Sequence, residues 1–327
     1  MREAALSSPP TRLAGRGLER LAFPCALLAA LALAPLLGLL GAERYVLNLF
    51  TRCMVFAIAA IGLDLVLGFG GLVSFGHAAF IGIGAYAAGM LAASGVGDAF
   101  ASLGIALAAS FLFALATGAV SLKTRGVHFI MITLAFGQMA YFVMSSLKAY
   151  GGDDGLSIDR RASLFGQDIL ADTLVFYYVV LAGLAGVYLL ARAVVRSRFG
   201  RVLRGAKDNE MRMAAIGFDA YRVRLAAYCV SGMMAGLAGW LLAEQSEFVS
   251  PAFMTWQRSG DLIIMVMLGG MASFEGAIIG ALILVLTEEL LPGFSEHWRV
   301  VFGPFLVLVA IFARGGLVGL LAGRRDG

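Results

Sequence analysis

Charge is what this sequence has least of: 14% of its residues are Asp, Glu, Lys or Arg, against about a quarter in an average soluble domain. A water-soluble globule is excluded. Lysine is nearly absent, with Lys123, Lys148 and Lys207 alone, and none follows a glycine. No Gly-Lys-Ser/Thr phosphate cradle exists, so the chain does not hydrolyse ATP by itself. The three histidines, His77, His128 and His297, lack His-Glu-x-x-His spacing, and there is no Gly-x-Ser-x-Gly turn to present a serine nucleophile. Ser145 to Lys148 fits Ser-x-x-Lys only as a short coincidence at a helix end. Cysteine is limited to Cys25, Cys53 and Cys229, each inside an apolar run without paired spacing, which argues against a disulfide framework or a zinc site. No catalytic residue, metal ligand set or cofactor motif is left. The net charge of +4 comes from arginines in loops and termini; it reports membrane orientation and contact with anionic lipid, not nucleic acid.

What the chain does have is apolar length. At 60% hydrophobic residues and a mean hydropathy of +0.88, it reads as an all-α, polytopic membrane protein. Windows of about 20 apolar residues, the length that crosses a bilayer, fall near 21–41, 46–68, 74–93, 99–120, 127–146, 174–195, 222–243, 260–271, 276–291 and 299–320. The eighth is too short to cross unaided, so about eight to ten transmembrane helices with discontinuous Gly-rich segments are expected. Arg12, Arg16 and Arg20 precede the first apolar run as in a signal peptide, but the run is long and further spans follow, which makes it an uncleaved first helix. The expected organisation is a cytoplasmic tail over 1–20, a transmembrane domain over 21–322 with a cytoplasmic loop at 192–224, and a cytoplasmic tail over 323–327. The positive-inside rule then places Lys123, Arg125, Arg314, Arg324 and Arg325 inside. The acidic loop with Asp153, Asp154, Asp159, Asp168 and Asp172 and the loops at 248–256 and 288–298 lie outside.

The loop at 192–224 is the densest polar feature. Arg192, Arg196, Arg198, Arg201, Arg204, Lys207, Arg212, Arg222 and Arg224 face only Asp208, Glu210 and Asp219. At its centre, Asp208 and Asn209 supply a helix cap, Glu210 an acidic first turn, Met211 to Ile216 helix formers, and Gly217 a left-handed terminus. The pattern predicts one short helix lying across the loop. It is either a docking surface for a soluble motor or an amphipathic segment lying on the lipid headgroups.

Glycine, with 42 residues, concentrates at 62–89 and 269–280. Small residues let helices in lipid approach closely, and broken helices are tolerated only where freed backbone groups face protein or a water-filled cavity. The segment Gly70-Gly71-Leu72-Val73-Ser74-Phe75-Gly76-His77-Ala78 is echoed by Gly269-Gly270-Met271-Ala272-Ser273-Phe274-Glu275-Gly276-Ala277. The helix count gives the two segments the same orientation, which does not support an inverted repeat. Asp64, His77, Gln138, Asp261 and Glu275 are polar at membrane depth, where such residues are costly. Each is a candidate for structural pairing or for a transport pathway. Ser74 is expected to cap a small-residue helix that contains His77, and Arg258 with Asp261 to form a local ion pair.

The runs Gly68-Phe69-Gly70-Gly71-Leu72-Val73-Ser74-Phe75-Gly76-His77-Ala78-Ala79-Phe80, Thr133-Leu134-Ala135-Phe136-Gly137-Gln138, Ser197-Arg198-Phe199-Gly200-Arg201, Phe248-Val249-Ser250-Pro251 and Met267-Leu268-Gly269-Gly270 resemble the M-type permease of branched-chain amino acid ABC importers. The resemblance covers nearly the whole chain after residue 45. It implies a bacterial inner-membrane subunit that works with a second, H-type permease, two ABC ATPase subunits and a periplasmic amino-acid-binding protein. The helix from Asn209 to Gly217 would be the coupling helix, with Arg201, Arg204, Asn209, Glu210, Ala214, Ala215 and Gly217 as ATPase-coupling residues. Asp64, Ser74, His77, Thr133, Gln138, Gly269 and Gly270 would lie on the translocation pathway. The chain departs from the family pattern at Asp64, often asparagine, and at Ala272, Glu275 and Ala277, which replace a glycine, an apolar residue and a proline. The rival reading is an ion-coupled secondary transporter using Asp64, Asp261 or Glu275 as a cation or proton site.

Overall fold

A computed structural model describes residues 15–35, 43–95, 97–158, 160–163 and 166–291, together with Gly303 and Gly316. The expected span at 299–320, the end of the first span, the loop at 292–298, Asp159 and both outermost tails lie outside the described residues. Helices account for nearly all of the rest: α1 (Gly15–Leu33), α2 (Glu43–Asp64), α3 (His77–Ala93), α4 (Ala99–Ser121), α5 (Val127–Ser146), α6 (Thr173–Arg196), α7 (Arg198–Asp208), α8 (Glu210–Ala215), α9 (Ala220–Ser246), α10 (Trp256–Gly269) and α11 (Phe274–Leu290). Helix α2 runs on into a π-helical turn, Leu65–Phe69.

Five described helices are long and apolar enough to cross a bilayer: residues 44–69, α4, α5, α6 and α9. Their starts follow local chemistry. Asp98, Asp172 and Asp219 cap α4, α6 and α9 by accepting the first free backbone N–H groups, which would otherwise lack partners. Two of the expected windows, 260–271 and 276–291, form a bent pair: α10 and α11 meet at 119° across the break Gly270–Ser273. The window at 74–93 yields only the shorter α3, which begins at His77 with Gly76 as its cap. Ser74 is therefore not the cap that the sequence suggested; its Oγ accepts the Gly76 N–H at 3.3 Å instead.

The centre of the bundle is the span at 44–69, whose most apolar stretch is 94% buried, whereas α4 and α5 bury 28% and 22% of theirs. Phe111, Leu112, Met131, Met139 and Phe142 point outward from α4 and α5. On a helix this apolar, such a face belongs to lipid. Helices α3 and α9 cross in direct backbone contact: a Cβ on Gly84 would collide with the Gly236 carbonyl oxygen. In lipid, where burying apolar surface gives no advantage over the bilayer itself, such close van der Waals packing holds helices together.

The chain has two polar ends. At one lies the basic loop, which carries α7 and α8 in place of the single helix expected; Arg192 and Arg196 belong to the end of α6, and Arg222 and Arg224 to the start of α9. At the other, the 151–172 and 248–256 loops join in a two-stranded ribbon, β1 (Leu156–Ser157) pairing antiparallel with β2 (Phe248–Val249). Arg161 pairs with Glu247 at 3.0 Å, and the buried Glu244 accepts the Ala162 N–H at 2.8 Å. The two loops therefore form one surface.

Candidate functional site

One Gly-Gly run lies in the break between α2 and α3 and its echo in the break between α10 and α11, and each break is the tip of its helix pair; α10 and α11 pack on each other, whereas α2 and α3 are joined through α9. Both tips lie beside the basic loop, because Lys207 on α7 donates from Nζ to the Gly68 carbonyl at 2.7 Å. The tips also touch each other. Asp64 accepts the Ala272 N–H on Oδ1 at 2.8 Å, and the Phe69 and Phe274 rings stack with centroids 5.0 Å apart. Asp64 and Ala272 are thus one local arrangement. Ala272 sits at φ +61°, a conformation that costs an L-residue about 1–2 kcal/mol, and its N–H is fixed there by the carboxylate. Glu275 accepts the Tyr188 hydroxyl at 2.5 Å, and Arg192 donates to Tyr188 at 2.8 Å. This ties the second tip to α6.

At the first tip, His77 is fully buried and bonded through Nε2 to Ser231 Oγ at 2.8 Å. Ser231 gives its own proton to the Gly62 carbonyl, so the histidine must be the donor in their bond. Thr133 Oγ1 accepts the Phe75 N–H at 3.3 Å and donates to the Ile130 carbonyl at 3.0 Å, fastening α5 to the same tip. Gly269 is packed backbone to backbone against Gly276, whose carbonyl oxygen occupies the place a Cβ would take, and Gly270 turns at φ +119°. Asp64, Ser74, His77, Thr133, Gly269 and Gly270 therefore gather at the two tips, where side-chain and backbone contacts occupy them. Gln138 stands apart, half-buried on α5. The Arg258–Asp261 pair forms as expected, at 3.4 Å, on the opposite side of the bundle.

In the basic loop, Asn209 caps α8 by accepting the Arg212 N–H at 2.9 Å. Gly217 ends it at φ +89°, with Phe218 N–H returning to the Met213 carbonyl at 3.0 Å, the chain reversal a left-handed glycine permits. Glu210 does not face outward as a docking group. It bridges Arg125 at 2.9 Å and Arg224 at 2.8 Å, pinning α8 to the α4–α5 turn and to α9. Arg204 donates to the Gly200 and Val195 carbonyls and stays exposed. Also open to the outside are Arg201, Asn209, Ala214, Ala215 and Gly217, with Met211, Ile216 and Phe218. Sequence reasoning passed over these last three and Lys207. The signal available was three large apolar residues set among arginines.

The described residues form a multi-pass helical bundle with one sharply bent helix pair and a capped, clamped helix on its basic face. A family profile described as "Branched-chain amino acid transport system / permease component" matches residues 45–323. The chain is 28% identical over 310 residues to the High-affinity branched-chain amino acid transport system permease protein LivM of Escherichia coli, covering 84% of this chain and 70% of that protein. It is 24% identical over 295 residues to the LivH protein of the same name series from the same organism, covering 83% of this chain and 94% of that one. No solved structure matches. The chain belongs to the branched-chain amino acid transport permease family, and to its M-type branch.

Proposed function

We propose that this chain is one permease half of an ATP-driven importer in a bacterial inner membrane, carrying branched-chain amino acids inward. Its partners would be an H-type permease, two ABC ATPases docked on the basic face and a periplasmic binding protein docked on the β1–β2 ribbon. That orientation makes the basic loop, the N-terminal tail over 1–20 and the C-terminal tail over 323–327 cytoplasmic.

The observation that carries the reading is the construction of α8. Its outer surface offers Met211, Ala214, Ala215, Ile216 and Phe218, while Glu210 holds its inner side to two arginines. A lipid-lying helix needs no such clamp; a helix that transmits force does. The force path runs from α8 through α7 and Lys207 to the first tip, and through Asp64 to the second. ATPase closure that moves α7 would move both tips together, since Asp64 and Ala272 join them.

Affinity purification in mild detergent with mass spectrometry of the co-purifying chains tests the reading. Two ATPases and a second permease are expected. A chain recovered alone that still moves solute in proteoliposomes without ATP would overturn it in favour of ion coupling. Within the complex, Gly217→Val is expected to uncouple ATP hydrolysis from uptake or to weaken ATPase association, because β-branched residues tolerate φ > 0 poorly. Normal uptake with full complex yield would remove Gly217 from the mechanism.

A further inference from the structure

The α10–α11 pair is fastened to α2 at both of its ends, and the two fastenings differ in kind. At the tip, Asp64 accepts the Ala272 N–H at 2.8 Å. At the far end, where α2 and α10 begin and α11 stops, the links are ionic and aromatic. Arg52 of α2 lies 3.7 Å from Glu289 in the last turn of α11, and the Tyr45 hydroxyl donates to the same carboxylate at 3.2 Å. Arg258 of α10 is oriented by Asp261 at 3.4 Å and Glu288 at 3.6 Å. It approaches the same ring as Arg52, that of Phe56 on α2, with the two guanidinium carbons 5.9 and 6.0 Å from the centroid, within reach of a cation–π contact.

The ion pairs are longer than the roughly 2.7–2.9 Å of a strong charge-assisted hydrogen bond, and the Arg52 and Arg258 side chains keep 37% and 32% of their surface exposed. Pairs of this kind are individually weak and are screened by salt. Inside the α10–α11 pair the packing is backbone to backbone instead: Gly269 lies against Gly276, and Gly280 against the Met265 carbonyl oxygen. Contacts that close transmit displacement rather than absorb it, so the two helices move as one body. Arg52, Phe56 and Arg258 also line a cavity of about 270 Å³ between α2, α3, α9 and α10, whose apolar walls include Ile81, Leu242 and Phe253.

We infer that Tyr45, Arg52 and Phe56 on one side, with Arg258 and Glu289 on the other, form an ionic latch that holds the far end of the α10–α11 pair against α2. Its release widens the cavity that the latch residues line, while the Asp64–Ala272 junction stays closed and serves as the pivot. Several weak, half-exposed contacts suit a latch that must open and close repeatedly. A buried ion pair would not, since separating its partners leaves uncompensated charges out of water. The inference concerns a motion of the chain, so it depends on neither the solute nor the energy source.

The test is double electron–electron resonance on the full chain in nanodiscs with its co-purifying subunits, spin-labelled at Arg44→Cys on α2 and Leu290→Cys on α11, both exposed positions. Cys25, the exposed native cysteine, is replaced by serine. Raising salt from about 0.05 M to about 1 M, where the screening length falls to about 3 Å, should shift the distance distribution toward longer separations. Arg52→Glu should raise the ratio of long to short distances at least about twofold, and adding Glu289→Arg should return it toward the parent. Labels at Leu72→Cys and Met271→Cys, on the two tips, should keep their separation throughout. A far-end distance that ignores both salt and Arg52→Glu, in protein that melts like the parent, would overturn the latch, as would a charge swap that fails to restore the short distance. A tip distance that grows with the far-end distance would overturn the pivot. Where Arg52→Glu disturbs folding, the salt series on the labelled chain without it decides.

Discussion

The two tips share a sequence pattern, yet they are held by different chemistry. The tip between α2 and α3 is secured inside the bundle: His77, Ser231 and Gly62 form a chain of hydrogen bonds, and Thr133 binds it to α5. The tip between α10 and α11 is secured by carboxyl groups: Asp64 holds its backbone, and Glu275 reaches Tyr188 and through it Arg192. Even the serines differ. Ser273 caps α11 by accepting the Gly276 N–H at 3.1 Å, while α3 starts three residues beyond Ser74. The first tip is tied to the basic face directly, through Lys207 and the Gly68 carbonyl, and the second through Glu275, Tyr188 and Arg192.

The largest expected effect comes from packing. Gly269→Val should leave no monodisperse permease in fluorescence-detected size-exclusion chromatography, because the added Cβ meets the rigid Gly276 backbone. At the corresponding tip, Gly71→Ala meets only the flexible Lys207 side chain and should cost about 1–2 kcal/mol for its positive φ. Equal losses from the two changes would end the distinction between the tips.

Asp64→Ala comes next. It removes the acceptor of the Ala272 N–H, a loss of about 0.5–1.5 kcal/mol, and should lower the melting midpoint in detergent and slow ATP-driven uptake. Asp64→Asn, which keeps an acceptor oxygen, should remain close to the parent in both measurements. If transport fails in Asp64→Asn while stability holds, transport requires the negative charge itself, beyond the hydrogen bond to Ala272.

Smaller effects separate the serines and the strained alanine. Ser273→Ala should lower stability by about 1 kcal/mol, the usual worth of a helix cap, and Ser74→Ala by less, since Ser74 caps no helix. Ala272→Gly relieves a positive φ but adds freedom to the unfolded chain, so its net gain should stay below about 1 kcal/mol. A loss of stability in Ala272→Gly would show that the alanine methyl packs productively at the tip junction.

The readability of these regions from the sequence was uneven. The windows at 127–146 and 174–195 correspond to α5 and α6 because long apolar runs flanked by charge admit one solution in lipid. Asn209 and Gly217 carried the ends of α8, since cap chemistry is local. Glu210 was legible as an acidic first-turn residue but not as the partner of Arg125 and Arg224, 85 and 14 residues away in sequence. Lys207 was visible as charge but not as a link to Gly68, 139 residues away.

By itself, the sequence determined that the chain spans a membrane in many helices and where its basic residues and its glycine breaks fall. These follow from hydropathy, composition and local backbone preference, which act over a few turns of chain. Only the tertiary structure decided that the two echoed breaks meet, that Asp64 serves Ala272, and that Arg52 and Arg258 approach the same Phe56 ring. Such pairings join residues up to more than two hundred positions apart, and they arise from how helices cross rather than from the preferences of any one segment.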